Sequence, residues 1–261
     1  MKQEKLWLFD FDGALAGGRK YHAARLDPDC RDMLIMLIEK FPGRVAVVSS
    51  RSLNDLACRI PAPGLFLGGT SGLAWLLPGG GKRIFHSIVG KPLYKARAAL
   101  LPRIKELELN CGVDTEDRLW AFTLHVPHLS REIQKYIFNT AQTWRSVCSC
   151  EVFQGPESVK IHLLRENIKD AVFSHFCSLL GLDPDAVLMT YAGGDENDIP
   201  LMRRILQHNG YVYTIGDTPL VPGGHLVKNS SLLAHEIFRL CESAGSAAAD
   251  IAEQRSCHGS I

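Results

Sequence analysis

A short apolar run, Leu6 to Phe9, ends abruptly in Asp10-Phe11-Asp12-Gly13. That switch predicts a buried strand delivering polar groups into a tight loop. Farther on, Asp27-Pro28 offers an N-cap and a proline at the first helical position. Met33, Leu34, Met36, Leu37 and Phe41 then form the apolar stripe of a helix, which Pro42-Gly43 stops. Val45 to Val48 reads as a second buried strand, Arg51 to Ile60 as a helix and Leu65 to Leu67 as a third strand. Strands alternating with helices predict an α/β fold around a parallel, doubly wound, Rossmann-like sheet.

Between about 84 and 164 the pattern changes to a helix over Pro92 to Leu107, an alternating strand around Arg118 to Val126 and a helix from Ser130 to Arg145. Paired strands near Cys150 to Phe153 and Val159 to Leu163 complete this stretch, which reads as an α+β insert. The strand-helix alternation then returns: Ile168 to Leu180 closed by Gly181, Val187 to Ala192, Pro200 to His208, Tyr211 to Ile215, and a last helix from Ser231. The predicted organisation is a split core of residues 1–83 and 165–243, a cap of 84–164, and a frayed, aperiodic tail of 244–261.

Composition narrows the class. With 46% hydrophobic and 22% charged residues among 261, the chain has enough apolar surface to fold. A net charge of +1, with Lys and Arg scattered, gives no footprint for nucleic acid or anionic lipid, so the expected partner is a small molecule. The N-terminal segment lacks the apolar stretch of an export signal, and no run reaches the roughly 20 apolar residues of a membrane span; a soluble, cytoplasmic protein is expected. Eight cysteines without CxxC spacing are expected to be reduced and structural. The ten histidines form no HExxH pair, and Gly79-Gly80-Gly81-Lys82 lacks the spacing of a phosphate-binding loop and reads as a hairpin turn.

Candidate chemistry lies at the predicted strand ends. Asp10 and Asp12, two residues apart, can face one crevice, one as a nucleophile toward phosphorus and the other as the acid that protonates the leaving oxygen, or can be two solvated acids of a loop turn. Gly13 lets the backbone approach a phosphate closely. Ser49, at the tip of the second strand, can donate to a phosphate oxygen or simply cap the next helix. Lys169, opening a helix after the insert, can hold a phosphate or be a solvated side chain. Asp195 and Asp198, in Gly193-Gly194-Asp195-Glu196-Asn197-Asp198, can reach a metal or cap the following helix.

Together, Leu-Phe-Asp-Phe-Asp-Gly, Val-Val-Ser-Ser-Arg, Lys169 and Gly-Asp-Glu-Asn-Asp resemble the four motifs of the haloacid dehalogenase superfamily, in the branch with an α+β cap after the third strand. The resemblance covers roughly Leu6 to Leu240. Val48 to Arg51, Gly68 to Gly72 and Trp120 to His125 look most like the trehalose-6-phosphate phosphatase family. It implies a magnesium-dependent phosphomonoester hydrolase with Asp10 as nucleophile and metal ligand, and Asp12 as acid/base with its carbonyl on magnesium. It also implies Ser49 and Lys169 as phosphate holders, with Asp195 or Asp198 completing the metal site. The substrate implied is a sugar phosphate such as trehalose 6-phosphate. The rivals are another sugar phosphate, a glycosyl phosphoglycerate, or a non-catalytic regulatory module with a degenerate metal site. The chain departs from the family at Gly194, where the first acid of the last motif is usual. It departs again at Ser71, Ala74, Arg118 and His162, where the family has histidine, glutamate and two lysines. Arg118, His162 and Ser71 are the candidates for contact with the leaving group.

Overall fold

The computed structural model describes residues 3–17, 24–81, 83–85, 90–155, 158–163 and 169–242; the expected tail at 244–261 lies outside them. The chain divides into two compact units, one of Met1–Ala46 with Asp185–Ile261 and one of Val47–Pro184.

The first unit is built on four parallel strands in the order β14-β13-β12-β1. These are β1 (Glu4–Asp10), β12 (Val187–Gly193), β13 (Tyr211–Ile215) and β14 (His225–Val227). Residues 6–10 of β1 are buried without alternation, as the continuous apolar run predicts for a strand covered on both faces. Its register against β12 pairs Leu8 with Tyr191 and Phe9 with Ala192, so the ends that carry Asp10 and Gly193 lie side by side. A two-residue pair, β2 (Ala16–Gly17) and β3 (Arg25–Leu26), follows the first loop. Helix α1 (Pro28–Lys40) begins as expected: the Asp27 carboxylate accepts from the amides of Asp29 (2.9 Å) and Cys30 (3.4 Å). The last helix, spanning 230–242, is tied to α1, where Cys30 Sγ donates to the Ser230 carbonyl (3.2 Å) and the Ser231 hydroxyl to the Asp29 carboxylate.

In the second unit β4 (Val45–Val48), which begins in the first, leads to α2 (Leu53–Arg59) and β5 (Phe66–Gly69). Two antiparallel strands, β6 (Ala74–Leu76) and β7 (Arg83–Phe85), extend the order to β4-β5-β6-β7. The glycine run at 79–81 is the connection between β6 and β7, as read from the sequence, with Gly79 and Gly80 at positive φ. The insert forms its own antiparallel sheet, ordered β10-β11-β9-β8, from β8 (Asp114–Asp117), β9 (Ala121–His125), β10 (Glu151–Gln154) and β11 (Ser158–His162). Helices α3 (Lys91–Cys111) and α4 (Arg131–Cys148) supply Leu100, Ile104, Ile137, Ala141 and Trp144 to a core shared with Phe122, Leu124, Val159 and Ile161. Helix α5 (Lys169–Leu179) follows.

The parallel, helix-interleaved α/β class is as expected, with three corrections of detail. The strand anticipated around Arg118 to Val126 is β9 and starts only at Ala121, because Leu119 turns the chain at φ +71°, while β8, which precedes it, went unread. Arg118 therefore sits in a tight connection and not on a strand. The hairpin strands β6 and β7 and the edge strand β14 went unread, being only three residues each. Among the described residues no helix is long and apolar enough to cross a membrane, and no two cysteines are joined.

Trp75 ties β6 to α5: its ring stacks on Phe176 with centroids 5.7 Å apart and planes at 3°, and its indole N–H donates to the Gly72 carbonyl at 2.7 Å. Trp75→Ala removes a fully buried ring and leaves that carbonyl unsatisfied, so it should destabilise the protein by about 3–5 kcal/mol in urea titration. A loss under about 1 kcal/mol would show that the site collapses without needing the ring.

Candidate active site

Asp10 closes β1 and is 3% exposed. The next turn is pinned by Phe11, whose carbonyl accepts from the amides of Leu15 (3.1 Å) and Ala16 (2.9 Å). Phe11, Ala14 and Leu15 are fully buried around it. Asp12 is left half-buried between them, while Gly13 is exposed at φ +83°.

A second loop, 193–198, lies against the first within the same unit. A Cβ built on Gly194 would come 2.7 Å from the Gly13 carbonyl oxygen, and one on Gly193 would come 2.5 Å from Asp198 Oδ2. Glycine at 194 is thus what allows the two loops to touch, and glycine at 193 what lets the second loop close on its own Asp198. Asp198 has no exposed surface. Its Oδ1 accepts from the Tyr191 hydroxyl (2.7 Å) and its Oδ2 from the amides of Gly194 and Asp195 (both 3.0 Å). Burial, then the charges of Asp198 and Asp10, hold the Tyr191 hydroxyl well above its usual pKa, so it stays a donor. Asp195 is exposed at the rim.

Three of the four carboxylates assigned to a metal, Asp10, Asp195 and Asp198, act electrostatically on Tyr191. Even so, no three or more His, Cys, Asp or Glu side chains among the described residues form a group that could hold a metal ion. The place of the family's first acid is Gly194, and the Gly13 carbonyl stands where its Cβ would be. Position 194 therefore supplies no acid to the magnesium site that the resemblance implies, and a side chain there has no room.

In the second unit Ser49 follows β4 and is fully buried. Its amide donates to the Gly68 carbonyl (2.9 Å), its carbonyl accepts from Ser71 N–H (2.7 Å), and its Oγ accepts from Arg51 N–H (3.1 Å). Thr70 N–H closes the loop on the Arg51 carbonyl (2.6 Å). Thr70 and Ser71 take left-handed φ values of 52° and 57°, strain that these bonds hold in place. Gly69 is obligatory beside them, because a Cβ there would lie 2.4 Å from the Leu53 amide nitrogen. The buried Arg51 guanidinium reaches Asp55 at 2.7 Å; against burial, Arg59 and Arg51 hold the Asp55 carboxyl below its usual range.

Lys169, 2% exposed, opens α5. Ser71 is half-buried. Arg118 is buried, Nη1 on Ser50 Oγ (2.9 Å) and Nη2 on Glu116 Oε2 (3.0 Å). His162, on β11, packs edge-on against Phe153, and burial, then Lys160 and Arg118, lower its pKa from 6.5 to about 4. It is neutral at physiological pH and offers no cation to a substrate. Tyr191 and Glu116 were missed by the sequence reading. A tyrosine inside a strand buried on both faces must find a hydrogen-bond partner, and that was the available signal.

The class these features define is an α/β fold shared with solved haloacid dehalogenase-like hydrolases. One from Bacteroides thetaiotaomicron matches over 91% of this chain and 100% of its own, with a TM-score of 0.65 at 13% identity. Nearer in fold is a trehalose-6-phosphate phosphatase related protein, with a TM-score of 0.70 at 14% identity over 93% of this chain and 99% of that one. The C-terminal domain of the C. albicans trehalose-6-phosphate phosphatase follows, with a TM-score of 0.69 at 15% identity over 91% and 92%. No family model and no curated sequence matches the chain. At these identities the likeness shows the fold alone.

Two outcomes follow. Gly194→Asp should not restore a metal site: its Cβ forces the two loops apart, so the thermal midpoint should fall by several degrees with no gain in magnesium affinity by calorimetry. An unchanged midpoint with tighter magnesium binding would refute this. For His162 the folded pKa is depressed, so the unfolded chain takes up the proton first. Its contribution is present above pH 6.5 and is lost as pH falls toward about 4. His162→Gln should flatten the acid-side fall in stability across that window by up to about 3 kcal/mol, read from urea midpoints at several pH values.

Proposed function

We propose that this chain is a phosphomonoester hydrolase working through an aspartyl-phosphate on Asp10. The observation that carries the reading is a nearly fully buried carboxylate at the end of a parallel strand, followed by a second aspartate and a positive-φ glycine in a pinned turn. In the proposed reaction an Asp10 oxygen attacks phosphorus in line and the ester oxygen leaves, taking a proton from Asp12. Water then gives its proton to Asp12 and attacks the same phosphorus, releasing phosphate and restoring Asp10. Ser49 and Lys169 carry the phosphate-holding roles, one as a hydroxyl donor and one as a charge. No step is assigned to magnesium.

The substrate class we assign is a sugar phosphate, with trehalose 6-phosphate, giving trehalose and phosphate, as the first compound to test. It is supported by the motif resemblance and by the fold shared with trehalose-6-phosphate phosphatases. The α+β insert at 84–164 is read as the cap that contacts the leaving group. Gly194 favours a second reading, a module that binds phosphorylated ligands without turning them over.

Phosphate release from a panel of sugar phosphates and an aryl phosphate separates the two readings. Asp10→Asn should lower turnover by roughly a thousandfold or more while leaving the thermal midpoint near that of the parent. Turnover within a few fold of the parent would remove Asp10 from the chemistry.

A further inference from the structure

Arg118 is fixed at more points than a residue reaching for substrate would need. Its connection between β8 and β9 is held from three sides. Arg97 of α3 pairs with Asp117 (2.8 Å through Nη1) and donates to the Leu119 carbonyl (2.5 Å). Asp117 in turn accepts from the Leu119 amide (2.8 Å). The Thr70 hydroxyl donates to the Arg118 carbonyl (3.2 Å). The guanidinium then divides its fork between Ser50 Oγ and the Glu116 carboxylate, which also lies 3.7 Å from His125 Nε2. Main chain and side chain of this one residue thus meet both stretches around Ser49, the 49–51 turn at Ser50 and the strained Thr70-Ser71 pair at Thr70.

A planar guanidinium bonded at two corners sets direction as well as distance, which a lysine at this position could not do. Ser49 has its amide, carbonyl and Oγ each engaged, so where its hydroxyl proton points depends on how the 49–51 turn is held. We propose that Arg118 is a positioning residue: it clamps the Ser49 turn through Ser50 and does not read the leaving group. This rests on the phosphate-holding role given to Ser49 above. It also revises the expectation that Arg118 contacts the sugar.

The deciding measurement is amide hydrogen exchange, which needs no turnover. In Arg118→Ala the amides of Ser49, Arg51, Thr70 and Ser71 should exchange about tenfold faster or more, the loss of one charge-assisted hydrogen bond, while those of α4 and β11 keep their protection. Ser50→Ala should reproduce the change and Ser50→Thr, which keeps the hydroxyl, should not. Unchanged protection in Arg118→Ala, or an equal loss throughout the insert, would overturn the proposal. On the parent and on Arg118→Ala, activity should fall by the same factor for an aryl phosphate and for the best sugar phosphate; a loss confined to the sugar phosphate would make Arg118 a reader of the leaving group. If the parent releases phosphate from nothing, the hydrolase reading fails while the exchange data still decide the clamp.

Discussion

A carboxylate with no exposed surface is the constraint on which the first unit's candidate site depends. Dehydrating Asp198 would cost several kcal/mol unless its oxygens were satisfied, and the chain satisfies them with a tyrosine hydroxyl from β12 and two consecutive amides from the loop that follows. For those amides to turn inward, residues 193 and 194 must fold tightly over the carboxylate, and only glycine has room at either place. The close approach to Gly13 follows from this. So the acid that the family resemblance anticipates at 194 is not merely absent: the loop is organised around a different carboxylate, and a side chain at 194 would meet the Gly13 carbonyl oxygen.

The second unit solves the inverse problem, the burial of cations. Arg51 and Arg118 both lie beneath the surface, each bonded to an acid close in sequence, Asp55 on α2 and Glu116 on β8. Such pairs contribute little to net stability once dehydration is counted, but removing one partner is costly. Their value here is geometric. They hold stretches that the backbone alone would not choose, since Thr70 and Ser71 sit in a conformation disfavoured for residues with a Cβ.

The strands and helices of the parallel core were legible because burial on both faces produces unbroken apolar runs, as in Leu6 to Phe9 and Val45 to Val48, and because Asp27-Pro28 and Gly181 mark helix ends. What stayed hidden depended on single residues in unusual conformations. Nothing in the side chain of Leu119 announces a left-handed φ, so the strand that starts at Ala121 was read from Arg118 and Arg118 was put on it. The candidate residues could be named from spacing, but their state could not. That His162 is neutral and that Asp198 is enclosed are properties of packing, visible only once Phe153 and Tyr191 are in place.

Placing a glycine where relatives in motif carry an acid also changes the charge around Asp10. In the proposed reaction the carboxylate and the phosphate are both anionic, and every further carboxylate nearby raises the cost of bringing them together. Of the acids that act on Tyr191, Asp195 is exposed and therefore screened by water, while Asp198 is compensated by three donors. Under the proposed reading, the lack of an acid at 194 leaves Asp10 a less negative surround, and less positive charge is needed to bring a phosphate in. Within the second unit the bonds to the Ser49 amide, carbonyl and Oγ fix where its hydroxyl can point, so that whatever that hydroxyl donates to is chosen by the turn and not by the side chain alone.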